Sequence, residues 1–126
     1  MRFAKNVFLV AGIWGLLVLP PMYFAFDKFG RENPPPVNHP EFFYGFAGIA
    51  IAWQFVFLLI ARDPLRYRPI VPAAMVEKFS FAIAVLVLSL QGRLSGNQIA
   101  LGATADTILG LLFVAAYFKT APRPSQ

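Results

Sequence analysis

The chain has 126 residues, of which 58% are hydrophobic and only 13% are Asp, Glu, Lys or Arg, and its mean hydropathy is +0.62. A soluble domain carries about a quarter charged residues, and a chain this short has no core large enough to hide so much Phe, Leu, Val and Ile, so the composition excludes a water-soluble fold. Cysteine is absent, which excludes disulfides, thiolate catalysis, Cys-based zinc sites and iron–sulfur clusters.

Apolar surface that cannot be buried must face lipid, and four apolar stretches are long enough to cross it. The first, about 7–26, has no formal charge between Lys5 and Asp27. At 1.5 Å per residue it reaches about 30 Å, the thickness of a bilayer core. It is too long for a signal-peptide core, and Pro20-Pro21 is followed by bulky Met22-Tyr23-Phe24 instead of a small-residue cleavage site. The two prolines predict a kink or an end to regular helix near Leu19, with Tyr23, Phe24, Phe26 and Phe29 anchoring that end at the interface. Ala11 and Gly15 offer a small-residue contact to another helix.

The second span, about 41–61, is uncharged from Phe42 to Ala61 and is closed by Arg62-Asp63-Pro64. Ahead of it, Asn33-Pro34-Pro35-Pro36 predicts a stiff, extended lead-in. Asn38 then fits an N-cap, with Glu41 at N3 and a hydrophobic staple between Val37 and Phe42. Asp63-Pro64 predicts a cap that opens a short interfacial turn. The third span, about 72–90, carries Glu77 and Lys78 near its start. Lys78 can snorkel to the headgroups, and Glu77 is expected to pair with Arg62, Arg66 or Arg68. The fourth, about 96–118, contains one charge, Asp106, and ends at Lys119, with Ser95 and Gln98 at cap-and-N3 spacing ahead of it.

Continuous apolar runs, without alternation at every second residue, exclude a β-barrel. The expected fold class is therefore an all-α integral membrane protein built as a bundle of four transmembrane helices in one domain. Arg2, Lys5, Arg62, Arg66, Arg68, Lys78, Lys119 and Arg123 fall on one side, against Lys28, Arg31 and Arg93 on the other, so both termini are expected in the cytoplasm. The net charge of +5 is then positive-inside bias and does not point to nucleic-acid binding. The strip from Arg62 to Arg68 is expected at anionic lipid headgroups.

Polar residues inside the spans are the handles on function. Asp106 lies about 15 Å into the fourth span, where a carboxylate facing lipid is costly. It is expected to face protein, because Gly102 and Gly110 stand four residues either side of it and let another helix approach. It is expected either to stay protonated at neutral pH or to find a donor, which Asn97, Gln98 or a group on another span could supply. Gln54, deep in the second span, is expected to hydrogen-bond across helices. Asp106, Gln54 and Glu77 are thus the candidate ligand-binding residues. His39 and Glu41 join Asp106 as candidate acid/base groups, although a pair two positions apart shares no helix face unless the first turn is irregular. One histidine supplies too few ligands for a metal or haem, and no nucleotide loop, His-Glu-x-x-His or Gly-x-Ser-x-Gly motif is present, so no metal or cofactor is expected.

Four short spans across nearly the full chain, His39-Pro40-Glu41-Phe42 entering the second, and Arg62-Asp63-Pro64 with Arg66-Tyr67-Arg68-Pro69 leaving it form one pattern. In this the chain resembles the DoxX-like group of small, four-span, mostly bacterial membrane proteins. The resemblance implies the architecture and a bacterial inner-membrane setting, and it brings no catalytic role to any residue. Some members of that group are linked to redox or thiol stress, but a chain without cysteine cannot itself run thiol exchange. A broader likeness, to sterol-isomerase-type membrane bundles, implies that His39, Glu41 and Asp106 converge in one cavity.

Three functions remain open at this level. The first is a non-enzymatic bundle that binds a small lipidic molecule or serves as accessory subunit of a membrane complex, with lipids, further copies of the chain or a complex partner around it. The second is an isomerase or an oxidoreductase-associated enzyme acting on a lipid or quinone-like substrate, using the His–carboxylate set for proton transfer at carbon. The third is a small proton-coupled transporter, against which the first span, lacking any acid from Val7 to Phe26, argues.

Overall fold

Lipid supplies no hydrogen bonds to a bare peptide group, so apolar runs of this length cross it only as helices. The computed structural model describes residues 2–94 and 97–122, apart from the side chain of Gln98. It contains α1 (Arg2–Val18), a short α2 (Phe26–Glu32), α3 (Pro40–Arg62), α4 (Val71–Leu90) and α5 (Asn97–Lys119). Four stretches, Arg2–Phe24, Pro40–Arg62, Arg68–Leu90 and Ile99–Lys119, are long and apolar enough to cross a membrane. The expected cap at Ser95 and its Gln98 partner lie outside the described residues, as does Arg123.

Proline sets two of the helix boundaries. The α1 helix stops at Val18 because Pro20 and Pro21 bring no N–H to the ladder. The chain tightens into a 3₁₀ turn over Pro20–Phe24 before α2. Tyr23 and Phe26 then stack on Tyr44, with ring centroids 5.8 and 5.6 Å apart, and Phe26 and Phe29 pack on Phe43. Of the four expected anchors, Phe24 projects outward. The helix begins at Arg2, five residues before the expected span, because a charge limits how far a segment enters lipid without breaking helical geometry.

At α3 the cap falls one residue later than expected. Pro40 occupies the first helical position and biases the residue before it to extended backbone, so His39 is the N-cap in place of Asn38. The carbonyl of His39 accepts the N–H groups of Phe42 and Phe43. The lead-in over residues 33–35 is bent, not extended, and its Pro34–Pro35 bond is cis. The turn after α3 follows expectation: Asp63 Oδ1 accepts the Arg66 N–H at 3.2 Å and opens the route to α4. The α4 helix ends in a Schellman motif, with Gly92 at φ 70° and Arg93 N–H donating to the Leu88 carbonyl at 2.9 Å.

The helices form two close hairpin-like pairs. The α1 helix lies along α3, and α4 lies along α5; α1 also meets α5, while α3 and α4 barely touch. Small residues allow the first pairing: Ala4, Ala11, Gly12 and Gly15 are all buried, and a Cβ at Gly12 would come within 2.7 Å of Leu58. Phe8, Phe57 and Phe113 knit α1, α3 and α5 together, with centroids 6.3, 4.4 and 5.0 Å apart. Ile60, Val71, Ala74 and Ala116 continue that core. At the same end, Arg68 Nε donates to the Tyr117 carbonyl at 3.1 Å, with its guanidinium 3.7 Å from the Tyr117 ring centroid. Lys119 Nζ sits 4.4 Å from the Phe3 ring, so the start of α1 and the end of α5 share one end of the bundle.

Candidate functional site

Because α3 and α4 diverge, a groove of about 620 Å³ opens between them, and α5 contributes Asp106 to it. Its walls are apolar and aromatic: Phe46, Ile49 and Trp53 from α3, and Val76 and Phe81 from α4. Its polar lining comes from Glu77, Ser80 and Asp106.

The placement of Asp106 follows from its spacing. Residues 102, 106 and 110 repeat every four positions and share one face of α5, which is turned to α4. A Cβ at Gly110 would meet the Phe79 ring at 2.7 Å, and one at Gly102 would meet Phe81 at 3.6 Å. Glycine at these two positions lets α4 approach closely enough to bring Lys78 to Asp106.

Lys78 lies on the buried stripe of α4 with Val71, Ala74 and Val85, and only 4% of it is exposed. It does not snorkel. Its ammonium is 3.4 Å from Asp106 Oδ1 and 3.6 Å from Glu77 Oε2, and it lies 5.1 Å from the centroid of the Phe57 ring. A charge withdrawn from water needs compensation, and Lys78 obtains it from two carboxylates and an aromatic face. Each carboxylate obtains less. Glu77 Oε2 is within ion-pair range but beyond hydrogen-bond reach, and among the described residues no donor reaches it. Ser80 does not serve it, because its hydroxyl donates to the Glu77 backbone carbonyl at 3.3 Å. Two acids facing one base leave the cluster with one formal negative charge.

The expected partners of Glu77 are engaged elsewhere or out of reach. Arg68 is spent on Tyr117, Arg66 lies 5.4 Å from the Tyr67 ring, and the ion pair that Glu77 makes is with its chain neighbour Lys78. Gln54 is buried, but its amide Nε2 donates to the Ala50 carbonyl of its own helix at 2.7 Å, not across to another. The Gln54 amide packs against Gly15, and Oε1 has no hydrogen-bond partner among the described residues. It does not line the groove, although its neighbours Ala50 and Trp53 do.

His39 and Glu41 do meet, with Nδ1 3.0 Å from Oε1, because His39 as N-cap lies outside the helical turn that would otherwise separate them. Both side chains are exposed, and neither lines the groove that holds Glu77 and Asp106. The structure therefore joins Asp106 to Glu77 and Lys78, and joins His39 only to Glu41. Among the described residues, no group of three His, Cys, Asp or Glu side chains is arranged to hold a metal ion.

Lys78 is the member of this cluster that pattern reading passed over. The pointer to it was present: Lys78 stands seven residues after Val71 and seven before Val85, on the stripe that α4 turns inward. A carboxylate deep in the neighbouring span also needs either a proton or a partner within reach. The arrangement can hold a cation, accept hydrogen bonds from a ligand, or exchange a proton with one. No protein family matches the chain, and neither does any curated protein or solved structure. What the fold establishes is a small multi-pass, all-α membrane protein with four membrane-length helices.

Proposed function

We propose that the protein is a non-enzymatic membrane bundle that binds a small lipidic molecule in the groove between α3 and α4. The ligand's polar group donates to Glu77 and Asp106, and its apolar body lies along Phe46, Ile49, Trp53 and Val76. One observation carries this reading: among the described residues no hydrogen-bond donor reaches Glu77 Oε2, which is enclosed beside an apolar groove, next to a cluster holding one more acid than base. A cationic or donor-rich head supplies what is missing, and an anionic head is repelled. The basic residues of the short connections support a setting in the bacterial inner membrane with both termini in the cytoplasm, and the DoxX-like resemblance supports the same setting.

The groove holds one of the two tryptophans, Trp53. In a Trp14→Phe background its fluorescence reports occupancy. A long-chain alkylamine is expected to change the emission saturably, while the carboxylic acid of equal chain length does so only weakly. Glu77→Gln, which spares the contact between Lys78 and Asp106, is expected to weaken the amine about tenfold. Equal responses to amine and acid, or an unchanged affinity in Glu77→Gln, contradict the proposal.

A further inference from the structure

A second cavity, of about 660 Å³, lies on another face of the molecule, between α1 and α3 at the end where Phe3 of α1 meets Lys119 of α5. Arg2, Lys5, Asn6 and Leu9 contribute to it from α1, and Leu58 and Arg62 from α3. The α1 residues fall at i, i+3, i+4 and i+7, which is one face of a helix. The two helices run antiparallel, so Arg62 stands level with Arg2 and Lys5, and Leu58 stands level with Leu9. The cavity is therefore graded. Three cations and an amide occupy its outer part, and about 6–10 Å deeper along the helix axes its wall is hydrocarbon.

Among the described residues, no carboxylate lines it. Among the described residues, Arg2, Lys5 and Arg62 make no ion pair, and all three are exposed. Three like charges lining one cavity with no acid beside them raise the local positive potential and attract an anion. Arginine favours phosphate oxygens, to which its planar fork can donate two bonds at once. A free phosphate would answer the charges but leave Leu9 and Leu58 unused. A phospholipid answers both, because its phosphate sits at the headgroup level and its acyl chain continues inward beside leucine.

We propose that this cavity is a binding site for the phosphate headgroup of an anionic phospholipid, held by Arg2, Lys5 and Arg62, with one acyl chain running along Leu9 and Leu58. The site is separate from the α3–α4 groove and does not depend on what that groove binds.

Native mass spectrometry of the detergent-extracted chain tests it, with phosphatidylglycerol and phosphatidylcholine of identical acyl chains as probes. One phosphatidylglycerol is expected to stay bound where phosphatidylcholine dissociates. The variant Arg2→Gln/Lys5→Gln/Arg62→Gln is expected to lower that affinity on the order of 100-fold. Arg62→Glu alone gives a smaller loss in the same direction, and Lys28→Gln/Arg31→Gln/Arg93→Gln, removing equal charge at the opposite end of the bundle, leaves it unchanged. Equal retention of the two lipids overturns the proposal. So does undiminished binding in either cavity variant with native far-ultraviolet circular dichroism, or displacement of the lipid by equimolar inorganic phosphate.

Discussion

Replacing Lys78 by Met destabilises the bundle by about 3–5 kcal/mol, the cost of stripping a buried ion pair of one partner. The side chain is of similar length and apolar, so little packing is lost. What remains is Asp106 and Glu77 facing each other with no cation between them. The diagnostic is non-additivity. In an Asp106→Asn background, Lys78→Met is expected to cost less by about 1–3 kcal/mol, because part of the interaction is already gone. Unfolding in mixed micelles, followed by circular dichroism, measures both numbers. A lysine that snorkelled to the headgroups would give a different cycle, with Lys78→Met costing under about 1 kcal/mol and adding simply to Asp106→Asn.

Gly15→Leu is expected to separate α1 from α3, with a loss at the upper end of the about 1–3 kcal/mol usual for overpacking. A Cβ at this position already overlaps the Gln54 side chain, and Gln54 is anchored to Ala50 with only 1% of its surface exposed. In lipid this contact matters more than its area suggests. Hydrocarbon outside the bundle is as apolar as leucine within it, so helices associate through close packing rather than through escape from water. Shortening the obstacle relieves the clash. Gly15→Ala is expected to be destabilising alone and close to neutral with Gln54→Ala, in the same unfolding assay. Equal losses for Gly15→Ala with and without Gln54 would mean that α1 does not pack here.

Several features were legible in the sequence because physics left them few alternatives. An uncharged run from Phe42 to Ala61 has no stable form in lipid except a helix, and α3 spans Pro40–Arg62. The end of α1 one residue before Leu19 follows from two prolines without N–H groups. The face of Asp106 follows from glycines four residues to either side, both of which meet α4 aromatics. All of these are local.

What escaped is relational. The Phe8–Phe57–Phe113 trio joins residues 49 and 56 positions apart in sequence, and no local pattern marks them as neighbours. Lys78 was equally free, from sequence alone, to reach outward to headgroups or inward to Asp106. The choice depends on the register of α4 against α5, which is set by Phe79 and Phe81 seating on Gly110 and Gly102. Gln54 offered an amide that could bond to a neighbouring helix. Its own Ala50 carbonyl was closer, and Gly15 brings no polar group to compete. At His39 the alternatives were two caps one residue apart, and Pro40 decided between them by restricting the residue before it.

The charge cluster that lines the groove rests on a lysine ammonium being held against an aspartate inside the membrane. Solid-state NMR on bilayer-embedded protein, with ¹⁵N at lysine Nζ and ¹³C at aspartate Cγ, measures that contact directly. Lys78 and Asp106 are the one lysine–aspartate ion pair among the described residues, with Nζ and Oδ1 3.4 Å apart. We expect strong dipolar dephasing from a single pair, abolished by Lys78→Met. Absence of dephasing in the unsubstituted protein, or dephasing that survives Lys78→Met, would show that the charges inside this bundle are held in some other way.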